Sequence, residues 1–337
     1  MAVKTRHNVA PPITPAALCL AGPTASGKSS LALRLAKEFP VTLINTDSLQ
    51  IYKGLPTLTA LPSSKDLRAC PHKLYSFLEP YEAFSVARWQ IFAKKAYFDA
   101  LQEGHFPLFV GGTGLYFKTL TEGLSEIPPI TQEINRRIQK LFEQKGLDAL
   151  YQDLKKRCPE EANRLKPGDT ARIQRSLAVL LQTGKPLSWW HQQPTKGSFL
   201  TPPSLFFTLL PERSALYQKA EMRFDFMIQS GALEEIKTLM EKYPDFEKLP
   251  VSKALGAREL AAFLKNNITL DEASQKAKQE TRRYIKRQMT WFRHQVKKAI
   301  IIESDDQDNQ YDIICKHLEG YTKNFSPRQK GLILNES

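Results

Sequence analysis

The chain has 337 residues, of which 42% are hydrophobic, and carries 48 lysines and arginines against 35 aspartates and glutamates, a formal net charge of +13. This length suffices for one large or two modest domains with a buried core, and the composition is that of a globular protein. The positive excess indicates a polyanionic partner, a nucleic acid or an anionic membrane surface, although a generally basic solvated surface is the alternative.

Cysteine spacing and the length of the apolar runs indicate the cellular compartment of the protein and whether it spans a membrane. The four cysteines are scattered with no CxxC spacing, which indicates neither a zinc site nor a disulfide framework and favours a reducing compartment. No apolar run approaches the roughly 18 residues of a membrane span. The N-terminal segment also lacks a signal-peptide core. We therefore expect a cytoplasmic protein without a membrane partner.

The first ordered element is expected at residue 16, after a flexible leader at 1–15 that contains three prolines. An apolar run at 16–21 precedes GPTASGKS, and a helical pattern follows at 30–39. The spacing GxxxxGK[ST] is that of a phosphate-binding loop, in which glycines turn backbone N–H groups toward phosphate oxygens, a lysine adds a cation and a serine can hold Mg²⁺. The predicted phosphate ligands are Gly22, Pro23, Thr24, Ala25, Ser26, Gly27, Lys28 and Ser29, with Ser29 as the metal ligand.

Further along the chain, β-rich apolar runs at 41–45, 106–110, 205–210 and 299–302 predict strands of a buried parallel sheet, and a helical stretch at 86–103 fits a βαβ crossover. Residues 127–200 instead contain polar helical segments without a convincing strand, including a helix at 169–183 capped by Asp169. We expect an α/β fold in which residues 16–126 and 201–304 form the core around an inserted helical subdomain at 127–200, followed by a tail at 305–337. Helices are also expected at 214–241 and 271–298.

Polar residues follow two of the predicted strands, at the edge where open α/β sheets bind ligands. Asp47 follows the second strand and could bind Mg²⁺ through water or accept a proton; a turn or N-cap aspartate is the alternative. GGTG at 111–114 follows the third strand and places the Thr113 hydroxyl near the same crevice; glycines that serve tight packing at a strand end are the alternative. Arg223 lies in the helical stretch at 214–241 and could neutralise phosphate charge, although an ordinary surface arginine is the alternative.

The strongest concentration of positive charge lies at 276–298, where nine lysines or arginines accompany one acid. On a helix, Ile285, Met289, Phe292 and Val296 would share one face, and Arg282, Lys286, Arg293 and Lys297 another. Tyr284 and Trp291 add ring surfaces among these charges. This mixture is typical of nucleic-acid contact, although a solvated amphipathic helix is the alternative.

Together these motifs resemble the tRNA dimethylallyltransferases, the isopentenyl transferases that modify an adenine next to the anticodon. The resemblance is carried by GPTASGKS (22–29), DSLQ (47–50), GGTGLY (111–116), DTARIQRSL (169–177), KALGAR (253–258) and KRQMTWFR (286–293). It implies a sheet like that of P-loop kinases, flanked by helices and carrying an all-helical insertion.

The resemblance also implies a reaction. The N6 amine of adenine 37 attacks C1 of dimethylallyl diphosphate, and diphosphate leaves with Mg²⁺ as the cofactor. Asp47 would orient the amine and accept its proton, with Thr113 as a second polar contact. Lys28 and Arg223 would stabilise the leaving diphosphate. An adenine in a stacked loop must be flipped out to reach such a pocket.

An anticodon stem-loop is the implied partner, and a monomer is the expected state. The implied tRNA-binding residues are Asp47, Ser48, Leu49, Gln50, Thr113, Asn135, Arg136, Arg172, Arg175, Lys253, Gly256, Arg258, Lys286, Arg287, Gln288, Trp291 and Arg293. Three positions depart from the family pattern. LPTLTALPS at 55–63 replaces a segment like MDIGTAKP, Ala257 stands where an aromatic residue is common, and Asn135 stands where a basic residue is often found.

Two other functions are compatible with the phosphate-binding loop. A small-molecule or nucleotide kinase would use the same loop, but it leaves KRQMTWFR and the net charge without a purpose. An RNA-binding protein with a vestigial phosphate site is the third hypothesis, and the positions of Asp47 and Thr113 at strand ends argue against it.

Overall fold

The computed structural model describes residues 17–200, 204–296 and 298–322. The predicted leader at 1–15, Lys297 and the end of the predicted tail lie outside the described residues. Residues 122–198 form one compact unit, and the remaining described residues form a larger one. None of the helices in the described ranges combines the length and apolar composition that a membrane span requires.

The larger unit is built on a parallel sheet of six strands in the order β3-β2-β4-β1-β7-β8. The predicted α/β class is therefore confirmed. The two-residue strand β3 was not predicted, because so short a strand carries no periodic signal. The strands are β1 (Leu18–Ala21), β2 (Val41–Asn45), β3 (His72–Lys73), β4 (Phe106–Gly111), β7 (Leu205–Leu209) and β8 (Ile300–Ile302), while β5 (Leu124–Ser125) and β6 (Thr195–Lys196) belong to the smaller unit.

Helices cover both faces of this sheet. In the larger unit they are α1 (Lys28–Glu38), α2 (Ser64–Ala69), α3 (Val86–Gln102), α4 (Gly114–Glu122), α9 (Arg213–Met227), α10 (Leu233–Lys242), α11 (Ala257–Leu264), α12 (Leu270–Gln295) and α13 (Gln307–Thr322). Short helical turns at Ile228–Ala232, Phe246–Lys248 and Pro250–Lys253 connect some of them.

Side chains of each strand alternate between two apolar clusters, as the two-residue period of a strand requires. Cys19 and Phe109 pack into a cluster with α3, α4, α9 and α12. Their neighbours Leu20 and Leu108 point to the other face and pack with α1 and α13. This two-sided burial explains why the strands consist of nearly continuous apolar runs.

Two helical segments differ from their predictions. The stretch expected at 214–241 is divided, because Gly231 takes a φ of 104° and a single wide turn separates α9 from α10. The predicted tail contributes α13, whose Ile314 and Leu318 are buried beneath the sheet. The segment after residue 304 is therefore partly core.

The smaller unit contains α5 (Gln132–Arg157), α6 (Pro159–Asn163), α7 (Thr170–Thr183) and α8 (Leu187–Gln192). It also contains an antiparallel strand pair, β5 with β6, that was not predicted. Asp169 caps α7 as expected, accepting a hydrogen bond from the Arg172 amide, and Gly184 ends the helix in the left-handed conformation. The helices pack around a core that includes Leu150, Ile173 and Leu177.

Candidate active site

The carboxyl ends of β2, β4 and β1 lie side by side, because these strands are neighbours in a parallel sheet. The turns that follow β2 and β4 are joined directly. The Thr113 amide donates to the Thr46 carbonyl at 3.1 Å, and the Ser48 amide donates to Thr113 Oγ1 at 3.0 Å. The sheet therefore brings the DSLQ and GGTG segments together, as their spacing in the sequence predicted.

The phosphate-binding loop follows β1 and leads into α1. Gly27, in the left-handed conformation with a φ of 86°, is the residue before the helix. A Cβ on Gly22 would lie 2.7 Å from the Leu209 carbonyl oxygen, so only glycine fits there. The backbone is thus folded tightly enough to direct amide groups toward an anion at the start of α1.

Lys28 folds back over this loop. Its ammonium donates to the Pro23 carbonyl at 2.6 Å and to Ser26 Oγ at 3.3 Å. Burial lowers the pKa of the ammonium to about 7, while the nearby Asp47 acts to raise it and Arg223 to lower it. An incoming anion would favour the charged form.

Asp47 combines a structural contact with a free oxygen. Its Oδ1 accepts a hydrogen bond from the Leu49 amide at 2.9 Å, and its own amide donates to Asn45 Oδ1 at 2.8 Å. Oδ2 has no hydrogen-bond partner among the residues that the structure describes. The turn aspartate and the reactive carboxylate, which were alternatives at the level of sequence, are therefore compatible.

Arg223 reaches the same loop from α9. Its Nη2 donates to Thr24 Oγ1 at 2.5 Å. Burial lowers the pKa of the guanidinium, and the nearby Asp47 carboxylate opposes that effect. The surface alternative is therefore wrong for Arg223, which lies at the phosphate-binding loop.

Gln288 differs from its expected role. Its side chain is buried, its Oε1 accepts from the Thr24 amide at 2.9 Å, and its Nε2 donates to the Gly112 carbonyl at 2.8 Å. Because the side-chain oxygen and nitrogen of Gln288 are both hydrogen-bonded inside the protein, this side chain is not available for a contact with RNA. The expected tRNA contact is replaced by a link between the phosphate-binding loop and the GGTG turn.

A cavity of about 70 Å³ opens beside these groups. Its lining combines the polar side chains of Thr24, Asp47 and Arg223 with apolar side chains that include Leu58 and Met227. Burial raises the pKa of the Tyr284 hydroxyl, and the nearby Asp47 carboxylate acts in the same direction. The lining residues that the motifs did not single out as site residues are Leu58, Thr59, Ala220, Phe224, Met227, Ala254, Leu255, Thr281 and Tyr284.

The segment at 55–63, which departs from the family pattern, is held in place by hydrogen bonds from other parts of the larger unit. The Glu235 carboxylate accepts hydrogen bonds from the amides of Thr57 at 2.6 Å and Leu58 at 3.1 Å. Gln50 donates through Nε2 to the carbonyls of Thr59 and Ala60, both at 2.9 Å. The last residue of DSLQ therefore holds this segment in place, and its amide nitrogen is engaged within the protein.

Most of the expected tRNA contacts in the larger unit lie on its surface. Lys286, Arg287 and Arg293 are exposed along α12. Trp291 is half-buried, and a Cβ on Gly114 would lie 2.2 Å from its ring. The apolar face of α12 is confirmed, since Ile285, Met289 and Phe292 are buried and Val296 packs partly against them.

The KALGAR segment is divided between surface and interior. Lys253 and Arg258 are exposed, and Arg258 donates to the Glu247 carbonyl at 3.2 Å. Gly256 is buried with a φ of 85°, and a Cβ there would lie 2.5 Å from the Phe224 ring. Gly256 thus supports the cavity wall from behind instead of facing RNA.

In the smaller unit, all four expected contacts are exposed. They are Asn135 and Arg136 on α5, and Arg172 and Arg175 on α7. Arg172 forms an ion pair with Asp169 at 3.4 Å, which its exposure makes weak.

The residues near the loop fit Mg²⁺ only if a substrate brings most of its ligands. No group of three histidine, cysteine, aspartate or glutamate side chains suited to a metal occurs among the described residues. Ser29 offers an exposed hydroxyl in the first turn of α1, and Asp47 offers its free oxygen. Mg²⁺ is commonly held by one or two protein oxygens together with phosphate oxygens, so this donor set is sufficient when a diphosphate is bound.

Comparison with known proteins agrees with this geometry. The family model described as IPP transferase matches residues 50–295. The chain belongs to the IPP transferase family. It is 42% identical over 295 residues to a tRNA dimethylallyltransferase of Rhodopseudomonas palustris, covering 87% of this chain and 91% of that relative. It is 44% identical over 291 residues to one from Rhodospirillum centenum, covering 86% and 91%.

Solved structures of IPP transferases share the fold. The tRNA isopentenylpyrophosphate transferase of Bacillus halodurans superposes with a TM-score of 0.64 at 29% identity, covering 91% of this chain and 97% of that one. A eukaryotic dimethylallyltransferase acting on tRNA gives 0.75 at 28% identity, covering 91% and 78%. The expected family and fold are confirmed, and the kinase alternative is not favoured.

Proposed function

We propose that this IPP transferase transfers a dimethylallyl group from dimethylallyl diphosphate to N6 of adenine 37, next to the anticodon of tRNA, and releases diphosphate. The observation that carries the proposal is one cavity whose lining combines Asp47 and Arg223, a residue of the phosphate-binding loop, Thr24, and several apolar side chains. A charged diphosphate, a hydrocarbon chain and a reacting amine need these three environments together.

The charged end of the donor would bind at the start of α1. The backbone amides of the loop and the Lys28 ammonium would hold its phosphate oxygens, and the Arg223 guanidinium would approach them from α9. The Ser29 hydroxyl is the proposed protein ligand of Mg²⁺, which when bound would neutralise part of the diphosphate charge. The loop thus serves a leaving group, and no phosphoryl group is transferred.

The transfer forms a bond between N6 and C1 while the bond from C1 to the diphosphate oxygen breaks, so that the electron pair leaves with diphosphate. The N6 proton would pass to Asp47 Oδ2, the carboxylate oxygen to which none of the described residues donates a hydrogen bond. Thr113 Oγ1 is held by the Ser48 amide at 3.0 Å and would orient the base. Arg223 and Lys28 would stabilise the negative charge that grows on the leaving oxygen.

The apolar part of the lining would receive the dimethylallyl group. Leu58, Phe224 and Met227 offer hydrocarbon surface close to Thr24 and Arg223. Since the adenine must leave its stack to meet the donor there, a flipped base is part of the proposal. The apolar side chains of the lining would also disfavour water beside the reacting carbon.

The RNA itself would be held by exposed cations. Lys286, Arg287 and Arg293 on α12 can contact backbone phosphates, and Trp291 offers part of its ring. Lys253 and Arg258 are proposed as further contacts, as are Asn135, Arg136, Arg172 and Arg175 of the smaller unit. The expected monomer and the expected cytoplasmic location stay predictions.

The experiment incubates the protein with Mg²⁺, labelled dimethylallyl diphosphate and an anticodon stem-loop RNA bearing adenine 37, without ATP. We expect label to enter this RNA and not a matched stem-loop with guanine at 37, which lacks the 6-amino group. A parallel reaction contains ATP and unlabelled donor. ATP consumption without alkylation of either RNA would contradict the proposal and favour a kinase.

A further inference from the structure

A second, larger cavity lies at the same edge of the sheet, beyond the ends of β7 and β8. Its volume is about 600 Å³, and it is lined by Leu210, Arg213, Tyr217, Arg293 and Glu303 among others. None of these residues lines the cavity that holds Asp47 and Arg223. Because ligands of parallel sheets bind at the carboxyl edge, a cavity in this position is a candidate binding site in its own right.

Two arginines without ion pairs face this cavity. Within the described ranges, neither Arg213 nor Arg293 forms an ion pair with a carboxylate. The Nε atom of Arg213 is fully buried, and no acceptor for it exists among the described residues. Arg213 is half-buried and Arg293 is exposed, so both guanidinium groups can present donors to an oxygen-rich ligand in the cavity.

Two carboxylates, those of Glu212 and Glu303, line the same cavity and reduce its positive potential. Glu212 caps α9, where its Oε2 accepts from the Ala215 amide at 3.1 Å. Glu303 is exposed beyond the end of β8 and opposes the arginines through solvent. The half-buried Tyr217 also lines the cavity. A tetrahedral anion with several acceptor oxygens matches two guanidinium groups better than any neutral ligand.

The surroundings favour one source of that anion. Arg293 lies on α12, whose exposed Lys286 and Arg287 continue the positive surface away from the cavity. The cavity is open to solvent, and a phosphate on a chain can enter it while its neighbours meet these cations. A small free anion would make no use of the flanking charge.

We propose that this cavity binds a backbone phosphate of the RNA substrate between Arg213 and Arg293, with Tyr217 against the adjoining nucleotide. The inference rests on the proposed function for the identity of the polyanion. It adds Arg213 and Tyr217 as RNA-binding residues, and it gives Arg293 a specific position. The contact is not base-specific, so it contributes affinity and register without selecting a sequence.

The test measures the dissociation constant of the full chain for the anticodon stem-loop between 50 and 300 mM KCl. For Arg213→Gln we expect about ten-fold weaker binding and a loss of about one from the slope of log affinity against log salt. Arg213→Lys should keep the slope, since it keeps the charge, but bind more weakly because it lacks the planar donor pair. Glu303→Gln should bind RNA more tightly than the unaltered protein.

Lys37→Gln is the matched control, because it removes one exposed positive charge from the last turn of α1, outside the cavity lining. Its slope should equal that of the unaltered protein. Thermal unfolding of each variant shows whether Arg213 only supports the fold. Weaker binding of Arg213→Gln with an unchanged slope would assign a structural role and overturn the proposal.

Three further outcomes are distinguishable. If inorganic phosphate stabilises the unaltered protein but not Arg213→Gln, while both bind RNA alike, the cavity takes a free anion and the RNA assignment is wrong. If the unaltered protein binds and alkylates the stem-loop while Arg213→Gln behaves identically, this inference fails alone. If the unaltered protein neither binds nor alkylates it, the proposed function fails.

Discussion

Gln288 accepts a hydrogen bond from the backbone amide of Thr24 at 2.9 Å, although 264 residues separate the two in the chain. The same side chain donates to the Gly112 carbonyl at 2.8 Å. One buried amide therefore matches a donor on one turn and an acceptor on another. The helix that presents exposed cations to solvent also fixes the geometry of the phosphate-binding loop from inside.

Gln288→Met should remove both bonds while keeping the volume. We expect a loss of about 1–3 kcal/mol in unfolding free energy and a lower kcat, because the Thr24 amide and the Gly112 carbonyl lose their partner. The dissociation constant for RNA should stay near that of the unaltered protein. Arg287→Gln, one residue earlier and exposed, should show the reverse pattern. RNA binding that weakens in Gln288→Met more than in Arg287→Gln would restore Gln288 as an RNA contact.

Asp47→Asn tests the proposed base. The amide oxygen can still accept from the Leu49 amide, so the turn should persist, but the group can no longer take a proton. We expect kcat to fall by about 10²–10⁴ with donor binding nearly unchanged. Asp66→Asn is the control, because Asp66 bonds only the backbone and side chain of Ser63. Single-turnover label transfer within ten-fold of the unaltered enzyme would exclude Asp47 as the base.

The pKa of Lys28 near 7 predicts a pH dependence of donor binding. A diphosphate binds better to the charged ammonium, and the charged fraction in the free protein falls as pH rises through the pKa. Relative to Lys28→Met, the affinity for diphosphate should therefore fall about ten-fold between pH 6 and 8. The comparison with Lys28→Met removes the titration of diphosphate itself. A ratio of affinities that stays constant over this range would show that Lys28 keeps one charge state.

Gly114→Ala tests whether RNA binding depends on the position of the Trp291 ring, which packs against Gly114. A Cβ at Gly114 would lie 2.2 Å from the indole, so the ring must move. We expect about 1–3 kcal/mol of destabilisation and weaker RNA binding, since Trp291 is a proposed contact. Gly168→Ala is the control, because nothing lies within 4 Å of its added Cβ. Equal melting temperatures for the two variants would mean that the ring yields without cost.

Much of the framework was predictable from the sequence because its signals are local. Apolar runs predicted the strands, and the loop spacing predicted the tight glycine-containing turn that precedes α1. Asp47 and Thr113 could be placed together because parallel strands end at one edge. Gln288 was misassigned, although the signal was present. It lies on the same helical face as Ile285 and Phe292, and a polar residue within an apolar stripe indicates a buried hydrogen bond.

Other features depend on contacts between residues distant in the chain, which no local pattern encodes. Glu235 caps the amides of Thr57 and Leu58 across the fold, and this explains how the altered segment at 55–63 keeps a defined shape. The apolar part of the cavity lining combines residues from three separate stretches, around 58, 224 and 255. Arg213 was not singled out from the sequence. It differs from other arginines at the start of a helix only in that its buried Nε has no acceptor among the described residues, which no local pattern reveals.

The ends of the smaller unit meet at its own strand pair, Leu124 opposite Lys196. In the larger unit, the flanking backbone is equally close, since the Leu120 carbonyl accepts from the amides of both Phe199 and Leu200. The chain therefore leaves and re-enters the larger unit at adjacent points, and no strand of the six-stranded sheet lies within residues 122–198. The helical unit is thus a self-contained insertion. Changes in its length or surface would leave the strand order of the large sheet unaltered.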